Sequence, residues 1–305
     1  MTMGSTSGDQ AKRLMRRATN AAVCVALLLI VLKLAAWLIT DSVSLLSSLA
    51  DSVMDALASL VNLLAVRHAL QPADSEHRFG HGKAEPLAGL GQAAFISASG
   101  IYLIVEAVGR LIQPRDIAQG AVGIGVMAFS IAVTSALVAY QRSVVRRTDS
   151  LAIRADSVHY ATDILVNAGV IVSLLLVMFL DWRAADPIVA LIIAGFIIFS
   201  AARIGRESLN HLMDRELPDR ERERIKEIAL SHPSVIDCHD LKTRAAGLNS
   251  FIQLHISMDG GLSLDQAHII SDAVELDLLA AFPNAEVIIH ADPEGVDEAR
   301  QEFQT

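Results

Sequence analysis

Two pairs of metal-capable side chains sit inside stretches that are otherwise apolar. In LADSVMDALASL, Asp51 and Asp55 are four residues apart, and in DSVHYATDIL, His159 and Asp163 repeat that spacing. Four residues is about one helical turn, so each pair shares a face of its helix. Three carboxylates and one imidazole, facing each other from two helices, would form a tetrahedral Zn²⁺ site. The same donors accept Fe²⁺, Cd²⁺ or Co²⁺. Charge inside a span is costly and usually faces a cavity or a partner. Either pair alone would equally suit a helix end or a partnership with a basic residue. Taken together, with Lys33 the only basic side chain deep in an apolar run, they read as a site for a cation in transit. Asp41 and Glu106 lie near span ends and read as interfacial.

Two further clusters are polar. The loop QPADSEHRFGHGKAE places Asp74, His77 and His81 in a D-x-x-H-x-x-x-H order that a metal could use, although a solvated polar loop explains the composition as well. Gly82-Lys83 suggests a phosphate loop. That motif needs Gly at position 77 and Ser or Thr at 84, where the chain has His and Ala, so the reading is rejected. Near the C-terminus, His239, His255, His268 and His290 come from different elements, with Asp292 two residues past the last. An aspartate among several histidines could bridge two ions, which makes this a candidate binuclear site. His68, His211 and His232 are left without a role.

The elements that must position these groups follow from hydropathy. Of 305 residues 52% are hydrophobic, and mean hydropathy is positive, which is too apolar for an ordinary soluble domain of this size. Windows 18–40, 43–69, 86–112, 118–140, 156–180 and 185–204 approach the roughly 20 apolar residues that cross a bilayer. Basic residues mark the N-terminal tail (Lys12, Arg13, Arg16, Arg17), the 67–83 loop and the 141–154 loop. The opposite loops carry only Arg110, Arg115 and Arg183, which puts both termini in the cytoplasm. The first apolar run is too long for a signal peptide and lacks a convincing cleavage site.

After Arg203 the pattern becomes that of a soluble domain. A charged helix at 219–230 opens at Pro218, strands follow near 234–243 and 250–258, a helix at 263–282 starts from Ser263, and EVIIH forms a last strand. The αββαβ order predicts a small α+β, ferredoxin-like or metallochaperone-like domain. Four segments are expected: an N-terminal tail 1–17, a six-span all-α membrane domain 18–208, a cytoplasmic metal-binding domain 209–293 and a loose tail 294–305. From Asp214 onward there are 19 acidic and 8 basic residues, a net of −11, against +2 for the remainder. So acidic a tail argues against nucleic acid and suits cations. Cys24 and Cys238 do not suggest a disulfide framework.

LADSVMD, LQPADSEHRFGHGKAEPLA, HYATD, CHDLKTR, QLHISM and QAHIISD together resemble a bacterial member of the cation diffusion facilitator family, close to its zinc- and iron-exporting prototype. The resemblance runs from the first span to IIHADP. It implies a Y-shaped homodimer in the inner membrane, with six spans per subunit and cytoplasmic tails in contact. Asp51, Asp55, His159 and Asp163 would form the transport site, and Asp74, His77 and His81 a loop site. His239, His255, His268, His290 and Asp292 would hold two ions that brace the tail dimer. Lys83 and Asp214 match a charge interlock near the membrane surface. Ala291 departs from the pattern, standing where the prototype has an amide beside the tail site.

The expected activity is export of divalent metal, Zn²⁺ first, in exchange for protons, with His159 as the proton carrier because imidazole titrates near neutral pH. A passive channel and a membrane-anchored metal sensor are the rivals. An intramembrane metalloenzyme lacks an H-E-x-x-H pair, and 305 residues with six spans leave no room for a nucleotide-driven pump.

Overall fold

The computed structural model describes residues 4–41, 43–112, 121–180, 182 and 184–295. Residues 118–120 of the fourth apolar window, Arg115, Arg183 and the tail beyond 295 lie outside them. Among the described residues are eight helices and three strands in two compact units, the larger spanning Asp9–Leu212 and the smaller holding the residues from Met213 together with the start of α1 up to Gly8.

The larger unit holds six long helices: α1 (Gly4–Thr40), α2 (Val43–Ala69), α3 (Ala84–Ile112), α4 (Ala121–Thr148), α5 (Leu151–Leu180) and α6 (Ala185–Leu212). Of these, α1, α2, α3, α4 and α6 are long and apolar enough to cross a membrane. At 30 residues, α5 has the length to do so as well. The helices outrun the apolar windows at one end. α1 begins at Gly4 rather than 18, and α4 and α6 continue to Thr148 and Leu212. A hydropathy window sees the lipid-facing length, whereas the backbone continues its hydrogen bonds through the polar turns RSVVRRT and ESLNHL. Where α3 and α5 meet α6, glycine permits the approach. A methyl at Gly100 would stand 2.8 Å from Ile198 Cγ1, and one at Gly169 would stand 2.4 Å from Ile193 Cδ1. Without a hydrophobic drive between helices in lipid, such close contact supplies the attraction.

The smaller unit holds α7 (Asp219–Leu230), β1 (Asp237–Ala246), β2 (Asn249–Met258), α8 (Leu264–Ala281) and β3 (Ala285–Pro293). This is the expected αββαβ order. Pro218 is the N-cap of α7 (φ −54°, ψ 145°), one position earlier than the first helical turn. Ser263 caps α8 reciprocally with Gln266. The sheet order is β1-β2-β3, with β1 and β2 antiparallel and β2 and β3 parallel. The hairpin turns on Gly247 and Leu248, and Gly247 supplies the positive φ (62°) that such a two-residue turn needs. The parallel pair requires a crossover, and α8 provides it. Ile225, Ile252, Leu254, Ile256, Val274 and Leu278 are the buried centre of a separate apolar core.

Candidate metal centre

The membrane unit brings α2 and α5 together at three of the four expected residues. Asp55, His159 and Asp163 offer ligand atoms that all lie within 4.8 Å of one another. His159 Nε2 is 3.2 Å from Asp55 Oδ1 and 3.9 Å from Asp163 Oδ2. The nitrogen is buried, and its near neighbours are these two carboxylates. Asp51 sits one turn before Asp55, is exposed, and is not within that group.

Polar contacts fix the helices around this cluster. Ser59 Oγ and Tyr160 Oη lie 2.7 Å apart, joining α2 to α5, and the ring of Phe95 from α3 stands edge-on to His159 at 5.3 Å. Lys33 of α1 is buried and donates to Ser52 Oγ at 2.6 Å and to the Ser48 carbonyl at 3.1 Å. Its ammonium is thus held on the turn of α2 that carries Asp51, and Asp55, Asp51 and Asp163 are the acidic groups within its electrostatic reach.

One residue that sequence reasoning missed is Asp156. It is fully buried, three residues before His159, and accepts from Gln141 Nε2 at 2.6 Å and Gln92 Nε2 at 3.4 Å. It therefore ties α3, α4 and α5 beside the cluster. The signal was present as the first letter of DSVHYATDIL. It fell at the edge of the apolar window, where an acidic residue normally marks a span end.

The loop brings Asp74, His77 and His81 together. Asp74 Oδ1 lies 3.3 Å from His77 Nδ1 and Oδ2 lies 3.3 Å from His81 Nε2. Backbone N–H groups of His77 and Glu76 donate to Asp74 Oδ1 at 2.6 and 2.9 Å. Those hydrogen bonds, His77 first, hold the Asp74 carboxyl below its ordinary range, so it is anionic and ready for a cation at any physiological pH. His68, which the sequence left without a role, places its ring edge-on to His81, with centroids 4.5 Å apart.

In the tail, strand register makes the site. His239 pairs with His255 across β1–β2, and His255 pairs with His290 across β2–β3, so three histidines stand in a row. Asp292 lies buried beneath them. Its Oδ2 is 2.9 Å from His255 Nδ1 and 3.4 Å from His239 Nε2, while Oδ1 is 3.0 Å from His290 Nε2. A carboxylate whose two oxygens face different histidines has the form of a bridge between two ions. Asp240, a second residue the sequence reading passed over, joins His239 and His255 as a third donor. It lies at the β1 bulge with φ 46°, and a bulge re-aims a side chain in a way that strand alternation does not foretell. His268 is not in the row; it is exposed on α8 beside Asp272 at 3.4 Å. Lys83 donates to the Leu212 carbonyl at 3.2 Å, and Asp214 accepts from Arg244 at 3.4 Å.

Helices that cross a membrane, a metal-capable cluster between two of them and a histidine-lined α+β domain define a membrane carrier of metal cations. Residues 20–213 match the cation efflux transmembrane domain, and residues 217–294 match the cytoplasmic, dimerisation domain of cation efflux proteins. The chain belongs to the cation efflux family, the cation diffusion facilitators, and is a transporter rather than an enzyme. It is 47% identical over 281 residues to the cation-efflux pump FieF of Salmonella arizonae, covering 92% of this chain and 93% of that one. FieF of Salmonella enteritidis is similar to the same extent. A solved chain of the zinc transporter CzrB is 38% identical and covers 26% of this chain and 99% of its own, with a TM-score of 0.25.

Proposed function

We propose that the protein exports Zn²⁺ from the cytoplasm in exchange for protons, as a homodimer with six spans per subunit in a bacterial inner membrane and both termini cytoplasmic. The observation that carries this is the Asp55–His159–Asp163 cluster, held between two spans with the His159 nitrogen buried beside the two carboxylates. Asp51 completes the donor set from the adjacent turn of α2 once the helices rearrange around a cation. Three carboxylates and a neutral imidazole suit Zn²⁺, and they also take Fe²⁺, Cd²⁺ and Co²⁺ as substrates.

A metal takes these ligands in their deprotonated forms, so loading releases protons and protonation expels metal. His159 is the group that carries the proton inward, since an imidazole exchanges protons nearest to neutral pH. Asp74, His77 and His81 hold a loop ion. The row His239, His255 and His290 with Asp292 holds tail ions. His268 stands apart from that row within one chain, which supports a role for it across the subunit contact. Lys83 and Asp214 serve as a charge interlock close to the membrane surface.

The test is Zn²⁺ flux into proteoliposomes under an imposed pH gradient, comparing the parent protein with Asp55→Ala. Gradient-driven uptake that disappears in the variant is the expected result. Flux indifferent to the gradient would mean a channel, and no flux with metal retained by the tail would mean a sensor.

A further inference from the structure

His68 lies in the last turn of α2, where the helix leaves the membrane for the loop. Its ring meets His81 edge-on at 4.5 Å, and the ring of His77 is tilted against His81 at 4.6 Å. His81 is therefore flanked by two imidazoles and one carboxylate. Its side chain is 4% exposed, with Nε2 facing Asp74 and Nδ1 buried without a hydrogen-bond partner among the described residues. A cation held with Asp74 would take the His81 nitrogen that faces it, Nε2, since the two ring nitrogens point apart. The geometry points to His68 as the fourth protein ligand of a loop metal, which closes Asp74, His77 and His81 into an all-protein site for a resident divalent transition metal. This rests on the reading that those three residues hold an ion.

Ligand number separates two kinds of site. A catalytic zinc keeps an open position, whereas an ion held for structure takes four protein donors. Around a tetrahedral ion with bonds of ~2.0–2.1 Å, donor atoms stand roughly 3.3 Å apart. Asp74 Oδ1 is 3.3 Å from His77 Nδ1 and Oδ2 is 3.3 Å from His81 Nε2, and one donor atom from each of the three residues lies within 4.8 Å of the others. His68 is exposed, so its ring can turn between staggered rotamers without disturbing a core. His68 lies outside the three-residue group as it stands, and a turn about its side-chain bonds would have to carry a ring nitrogen toward the ion. Three histidines and one aspartate form a donor set suited to Zn²⁺ and tolerant of Co²⁺. Anchoring the end of α2 to its loop through this ion would fix the turn that joins α2 to α3. The ion then stays with the protein through the cycle.

The experiment uses the full chain in detergent with Asp163→Ala and Asp292→Ala to silence the other centres. Co²⁺ is titrated in, its visible spectrum reports coordination, and Zn²⁺ competition gives affinity. His68→Phe keeps the ring contact and removes the nitrogens. It is expected to weaken Zn²⁺ binding at least tenfold and to change the cobalt spectrum from that of a four-ligand protein site. His68→Cys is expected to restore binding and to add a thiolate-to-cobalt charge-transfer band. If His77→Ala abolishes binding while His68→Phe alters neither affinity nor spectrum, His68 is a packing contact and the proposal falls, with the loop site intact. If His77→Ala leaves binding unchanged, the loop site itself is refuted and the proposal goes with it.

Discussion

An ammonium group fixed beside carboxylates competes with any cation that those carboxylates bind. Lys33 is placed to do this, because its two hydrogen bonds end on Ser48 and Ser52 of the helix that carries Asp51 and Asp55. In the empty protein it offsets part of the negative charge, and when a divalent ion arrives it opposes tight retention. A transporter that must release its cargo gains from such opposition. Lys33→Met should therefore tighten Zn²⁺ binding at the transport site roughly tenfold, about 1.4 kcal/mol and on the order of one charge pair in a water-like dielectric, and should slow turnover. Equilibrium binding alongside proteoliposome flux checks this; weaker binding with unchanged flux would refute it. At this scale the sequence was informative wherever a charge interrupts an apolar run, which is why Asp55, His159 and Asp163 were legible. Asp156 was not, because at a window's edge a buried acid and an interfacial acid look alike. Which of two carboxylates on one helical face turns inward also has no signature, so the sequence did not separate Asp51, outside the cluster, from Asp55 within it.

Helices place these residues, and one buried acid pins two of them together. Glu85, in the first turn of α3, is 3% exposed and accepts hydrogen bonds from the Ser150 hydroxyl and from the Ala152 backbone N–H at 3.3 Å. It satisfies a donor at the N-terminus of α5, the helix that presents His159 and Asp163. Glu85→Ala would strand those donors in a water-poor setting at a cost of about 2 kcal/mol, while Glu85→Gln keeps an acceptor there and costs less. Thermal unfolding in detergent should rank the three proteins parent, Gln, Ala in falling stability, and an Ala variant as stable as the parent would dismiss the pin. The number and order of helices and strands could be read beforehand because apolar length and alternation are written directly in residue type. Helix ends could not, since α1, α4 and α6 run on into water with polar turns that hydropathy discards. Register was also hidden. That His239, His255 and His290 share one row depends on a hairpin of set length and a parallel pairing formed through α8.

For the molecule as a whole, the decisive feature is a charge imbalance between its two units. The segment from Asp214 onward carries a net −11, so two copies brought together repel, and the family's dimerisation domain lies within that segment. Divalent ions bound at the Asp292 row would cancel part of this charge. Removing metal should therefore weaken the dimer, and added salt should partly replace it by screening, since the Debye length falls from ~30 Å at 0.01 M to ~10 Å at 0.1 M. The full-length protein in detergent, followed by light scattering across dilution, provides the measurement. Chelator at low salt should raise the dimer dissociation constant several-fold, and 0.3 M NaCl should recover part of the loss. Asp292→Ala should behave as the chelated protein does and ignore further chelator. A dimer indifferent to both chelator and salt would show that its contacts are apolar, with the tail ions acting inside each subunit alone. Chelator sensitivity without salt rescue would instead make the metal a positional ligand, drawing His268 or another donor across the contact, with charge cancellation a minor part of its effect.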